Sequence, residues 1–292
     1  MQFRDIIVVL DERESCQMQL ECAVRLARRV EGRLTGIGFA PPPPQDTQTL
    51  SAEWGTGAIE QLGPAAELDP DLQPGYPETA TSGQAITNAE NLFRAATEGI
   101  VTDWHSYEYQ DTDRLIQMGQ LADLVVLGQA PPRGESIGWV LHPDEVVLAT
   151  GGPCLVIPYA GSFEEIGKRV LVAWDGSIEA ARALRSARPF LSESSSVTII
   201  GVYHHETAHD EMRTSLEQVE LRLRTQGIKV EVESTIQGEL KVSDILLNRA
   251  ADLSADLLVA GSFHHSRLRE MVVGGVSREL LTHMTLPVLM SH

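Results

Sequence analysis

The residues best suited to hold a charged ligand lie between Gly261 and Ser277, in GSFHHSRLREMVVGGVS. An apolar run, Leu257 to Ala260, leads into Gly261, and a segment of helical character follows Ser277. A residue without a Cβ at the end of a strand lets the backbone pass close to a ligand. Gly274 and Gly275 stand in front of the helix, whose free N–H groups and positive dipole end attract an anion. Paired glycines also permit a concave nest of amides around phosphate oxygens. Ser277 can add a hydroxyl donor or cap the helix, and the sequence weighs the two evenly. Arg267 and Arg269 sit in the intervening loop, where one can neutralise phosphate charge, although a solvated loop arginine is the commoner case. Asp175 ends a second apolar run, VLVAW. It can accept from ribose hydroxyls or share Mg2+ with phosphates. Asp175-Gly176-Ser177 is an equally good turn and helix cap.

These residues need elements to position them, and the chain repeats its elements. Asp5 to Phe39 has the layout of Arg169 to Tyr203: a strand, an aspartate (Asp11, Asp175), a helix, then a β-rich segment. ADLVVLGQ (122–129) echoes ADLLVAGS (255–262), and GGPCLVIP (151–158) echoes MTLPVLMS (284–291). Three echoes in one order make two copies of one unit, expected over 1–160 and 167–292. The excess length of the first copy is rich in Pro, Gly and Ala and includes Pro41 to Pro44, giving an irregular insertion at about 41–77, a surface loop before it is a lid. Short Val/Ile/Leu runs alternating with helical periods, such as Leu216, Val219 and Leu223, predict parallel strands covered on both faces. The expected fold is α/β, two tandem doubly wound parallel five-stranded sheets, with ligands at the strand C-terminal edge.

At this point the sequence resembles the universal stress protein family in its tandem, two-domain bacterial form, over both halves except the insertion. The family's nucleotide loop has Gly, two residues, Gly, nine residues, Gly, then Ser or Thr. Gly261 matches the first glycine, Gly274 the third, and Val276-Ser277 the tail, while His264 takes the second glycine's place and Gly275 that of the Ser/Thr. The resemblance implies a Rossmann-like fold akin to the adenine nucleotide α-hydrolases, with the two units packed as a pseudo-dimer through CLVIP and PVLMS. It implies ATP, or ADP or AMP, in the second unit. There Ala173, Trp174 and Asp175 line the adenosine pocket, Gly201 and Val202 flank the adenine, and Ala260, Gly261 and the loop hold the phosphates. If the second glycine's position has positive φ, His264 is strained there by roughly 1–2 kcal/mol, while its ring can donate to a phosphate and makes binding pH-dependent. The first unit departs further: Pro131 and Pro132 remove two amides after Gly128, and His142-Pro143 replaces the glycine pair. That half is expected to be degenerate for nucleotide.

The totals agree. A net charge of −18 argues against nucleic-acid and anionic-membrane partners. Three cysteines with no CxxC spacing fit a reducing compartment. The N-terminus has neither a signal sequence nor a membrane span, so a cytoplasmic place is expected. His204, His205, His209, His264 and His265 invite zinc, but no cysteine or spaced carboxylate completes a tetrahedral set, and solvated histidines are preferred. There is no nucleophile elbow, and Cys154 falls in an apolar run where an inert thiol is expected. The resemblance, with these residues, implies a stress-response nucleotide sensor or slow switch with at most slow Mg2+-dependent ATP hydrolysis. A non-nucleotide interaction module is the rival, and whole chains can pair further as homodimers.

Overall fold

The computed structural model describes residues 3–10, 16–40, 82–108, 111–130, 141–203, 205–262 and 275–292. The proline-rich insertion, Asp11, Pro131 and Pro132, His204, and the loop carrying His264, His265, Arg267 and Gly274 lie outside the described residues.

In chain order the strands are β1 (Asp5–Leu10), β2 (Arg33–Ala40), β3 (Thr102–Glu108), β4 (Leu124–Gly128), β5 (Cys154–Ile157), β6 (Arg169–Trp174), β7 (Ser196–Tyr203), β8 (Val230–Ile236), β9 (Leu257–Gly261) and β10 (Val288–Ser291). The described helices are α1 (Cys16–Val30), α2 (Ser82–Ala96), α3 (Thr112–Gly119), α4 (Pro143–Thr150), α5 (Ile178–Ser186), α6 (Arg188–Leu191), α7 (His209–Arg224), α8 (Val242–Asp252) and α9 (Gly275–His283). The strands form one ten-stranded sheet in the order β3-β2-β1-β4-β5-β10-β9-β6-β7-β8. Each half is thus a five-stranded parallel sheet with its first strand in the middle. The halves join where β5 and β10 pair antiparallel, Leu155 opposite Leu289. This covers two edges that would otherwise present unpaired backbone groups.

Side chains alternate between two apolar layers, as the pleat requires. Val170 and Val172 of β6 face a layer with α1, α2, α5 and α7, while Leu171 and Ala173 face one with α3, α4, α8 and α9. The outer strands β3 and β8 are half-exposed, and charges such as Glu231 and Glu233 on β8 blunt an open edge. Cys154 is fully buried in β5, and desolvation pushes its thiol up to about 12, so it is not a nucleophile.

The Ala-Asp-Leu echo has a local cause. Asp123 Oδ2 accepts the N–H groups of Arg4 (2.8 Å) and Asp5 (3.0 Å). In the second half Asp256 Oδ1 accepts those of Gly167 (2.7 Å) and Lys168 (2.8 Å), and Oδ2 that of Arg169 (3.0 Å). In both halves the aspartate before the fourth strand ties down the start of the first. Two backbone donors in the first half and three in the second are thus satisfied by a charged acceptor.

Candidate functional site

In the second half the chain leaves β6 for β7 on one side and returns with β9 on the other. Strand order reverses between β6 and β9, and a crevice opens there beyond the strand ends. A cavity of about 240 Å3 occupies it. Its floor is Ala173, Ile200, Val202 and Ala260 from the strands, and Val242 and Leu246 of α8 with Leu280 of α9 form the walls. Asp175 and Gly261 stand at the strand ends, with Gly275, Val276 and Ser277, the first turn of α9, on the other side. A larger cleft of about 630 Å3 lies at the opposite edge, against the first residues of β6, β7 and β8. Doubly wound sheets take their ligands at the C-terminal edge, so the smaller cavity is the candidate.

The Asp175 turn forms as its sequence allows. Ser177 N–H donates to Asp175 Oδ1 (2.9 Å), Gly176 adopts φ 78°, and Ser177 Oγ caps α5 by accepting the Ala180 N–H at 3.0 Å. The turn and the cavity-lining position coexist: Asp175 structures the loop and lines the site. Trp174 reaches the cavity's edge while its indole N–H donates to Ser215 Oγ on α7 at 2.9 Å.

Two glycines are also required by packing. A Cβ on Gly261 would stand 2.5 Å from the Ala180 backbone nitrogen and 2.7 Å from the Glu179 carbonyl carbon. Its bareness therefore lets the start of α5 pack on β9 while Gly261 also lines the cavity. Gly201 pairs in register with Trp174, so it faces α7, where a Cβ would meet Met212 Sδ at 2.5 Å. The structure does not bring Gly201 into the cavity wall. Ile200, in register with Ala173, takes that place. Ser277 is the third residue of α9 and buried. No described residue comes within 4 Å of the position a Gly275 Cβ would take.

Sequence reasoning missed Ile200, Val242, Leu246 and Leu280. It also missed the polar clasp joining α8 to α9. There Lys241 Nζ lies 2.6 Å from Glu279 Oε1, and Ser243 Oγ–H donates to Oε2 at 2.9 Å. The hydrogen bond from Lys241, then that from Ser243, holds the Glu279 carboxyl below its ordinary value. These hydrogen bonds favour the ionised form.

The matching helix of the first half is built differently. Its first residue, Pro143, has no N–H, and Asp144 and Glu145 follow in the first turn, whereas the first turn of α9 carries no acid. Carboxylates at a helix N-terminus satisfy its dipole and repel a second anion. Among the described residues no group of three or more His, Cys, Asp or Glu could hold a metal, and no helix is long and apolar enough to cross a membrane. His209 packs edge-on to Tyr203, with Nδ1 3.4 Å from Asp210.

Comparison with known proteins agrees with this architecture. Residues 167–292 match the model of the universal stress protein family. A universal stress protein of Bacillus subtilis is 30% identical over 143 residues, 41% of this chain and 96% of that one. One of Synechocystis sp. is 28% identical over 176 residues, and the alignment spans 57% of each chain. Among solved structures, a universal stress protein of Archaeoglobus fulgidus superposes with a TM-score of 0.64 at 16% identity, over 99% of this chain and 96% of that one, a likeness of fold. The chain belongs to the universal stress protein family.

Proposed function

We propose that the second half, residues 167–292, binds an adenine nucleotide, ATP foremost, and that the protein serves a cytoplasmic stress response as a sensor or slow switch. The observation that carries this is a cavity with an apolar floor, one carboxylate at the strand end and an acid-free helix N-terminus opposite. A flat heteroaromatic base suits the slot between Ile200, Val202, Leu246 and Leu280. Asp175 accepts from the ribose hydroxyls. The phosphates then meet the amides of Gly275, Val276 and Ser277 at the positive end of α9, joined by Gly274, Arg267 and His264 of the preceding loop. At about 240 Å3 the cavity lies below the ~300–1,000 Å3 usual for ligand clefts, so base and sugar are enclosed and the phosphates sit outside. Mg2+ would bind between the phosphates and Asp175 Oδ2, since Oδ1 is engaged by Ser177. The role is binding rather than turnover: Asp175 is the one ionisable residue lining the cavity among the described residues. The half formed by residues 1–160 serves as structural partner.

Titration calorimetry with ATP, ADP and AMP tests this directly. One site per chain is expected, with Asp175→Ala weakening it about tenfold, the loss of one charge-assisted bond. No binding heat with any of the three would refute the reading.

A further inference from the structure

Gln129 follows Gly128 at the end of β4, as Ser262 follows Gly261 at the end of β9. Their backbones behave alike. Gln129 N–H donates to Ile157 O (2.7 Å) and Ser262 N–H to Ser291 O (3.0 Å), each bonding to the last strand of its own half. Their side chains do not. The Gln129 carboxamide is buried and crosses the junction between halves, where Nε2 donates to Leu281 O and to Thr282 O, both at 2.9 Å. Its Oε1 accepts the Tyr159 N–H at 3.2 Å.

Leu281 and Thr282 belong to the last turn of α9, whose final four carbonyls have no partner within the helix. In the first half α4 ends on Gly151, which takes the left-handed conformation (φ 63°) that closes a helix end. After α9 comes Met284, which does not take that conformation. A side chain from the other half thus supplies donors at a helix end that has no glycine cap. The same half makes a second approach to α9: Arg278 Nε lies 3.9 Å from Asp144 Oδ2 of α4.

We propose that Gln129 is a positioning residue for the nucleotide site. By holding the carbonyl end of α9, it sets where the amide end, Gly275 to Ser277, stands over the cavity. The inference rests on the nucleotide reading above. A helix of nine residues is roughly 13 Å long and moves as a rod, so a shift at Thr282 is felt at Gly275. The first half, with two acids in the first turn of α4, thereby acts on the anion site of the second.

The test compares ATP with adenosine, which lacks the phosphates that α9 would hold, on the full chain. Gln129→Met keeps the length and burial and removes donors and acceptor, and Gln129→Ser copies Ser262. Wild type is expected to bind both ligands. Either variant should bind ATP about tenfold more weakly with adenosine changed less than about twofold, and should exchange the amides of Gly275–His283 faster while those of β9 are unchanged. A merely structural residue would weaken both ligands alike. An unchanged ATP-to-adenosine ratio in both variants, with wild type binding normally, overturns the inference alone. Wild type that binds neither ligand overturns the nucleotide reading and this inference with it, before any variant is measured.

Discussion

The α4 edge of the first half and the α9 edge of the second occupy equivalent places in one repeated plan, yet they are finished with opposite chemistry. At α4 the helix opens with Pro143, Asp144 and Glu145 and closes on Gly151, and Gln120 Nε2 of the same half donates to Ala149 O at 3.2 Å, so its ends are served from its own half. At α9 it opens with Gly275, Val276 and Ser277, with no acid, and its far end is held by Gln129 of the other half. One helix answers its own dipole. The other presents an acid-free first turn to a cavity and borrows support from across the sheet. On the proposed reading, duplication lets one copy be relieved of ligand binding and turned to supporting the other.

Moving the first half's acid into the second should break this contrast most severely. Val276 is 40% exposed and holds the position in α9 that Asp144 holds in α4. Val276→Asp is expected to raise stability by about 0.3–1 kcal/mol through the dipole. It should weaken ATP roughly thirtyfold or more, because a like charge then stands beside the phosphates. Urea unfolding and calorimetry on one sample check both signs. Gly261→Ala is next: with backbone atoms at 2.5 and 2.7 Å from the new Cβ, α5 must move, costing about 1–3 kcal/mol. Gly275→Ala, where no described residue lies within 4 Å of the new Cβ, should cost no stability.

Much of this was legible in the chain. The repeated Ala-Asp-Leu and the closing strands carried the fold, because each is fixed by local backbone demands that recur in both copies, and Asp175-Gly176-Ser177 marked the end of β6 in the second. What was not legible depends on which way a strand faces. Trp174 and Gly201 pair in register and share the α7 face, so Trp174 only reaches the cavity's edge and Gly201 gives way to its neighbour Ile200. A run of uninterrupted apolar residues carries no sign of that phase. Val242 and Leu246 come from a helix that no loop motif marks. Gln129 had a faint signal, a long polar residue where the other copy has Ser262, but its partners lie more than 150 residues away.

Smaller effects sharpen the comparison further. Asp175→Asn can still accept the Ser177 N–H and keep the turn, so it should lose ATP affinity by up to about tenfold with stability intact. Asp175→Ala should lose both, with about 1 kcal/mol of stability, as unfolding and titration together would show. The α8–α9 clasp adds a modest pH dependence. Because the folded Glu279 pKa is depressed below 4.5, its contribution is present above that value and is lost as pH falls through the lower folded value. Glu279→Gln should flatten the fall in ATP affinity on acidification through that range, and an unchanged slope would separate the clasp from the site.

The most direct test of the central claim, that the second half alone is the nucleotide half, is photolabelling of the intact chain with 8-azido-ATP followed by peptide mapping. Label in the peptides spanning Ser196–Tyr203, Val242–Asp252 or Gly275–His283, suppressed by excess ATP, is the expected result. Label along Leu124–Gly128 or Pro143–Thr150 that ATP suppresses equally, or label that ATP does not suppress at all, would contradict it.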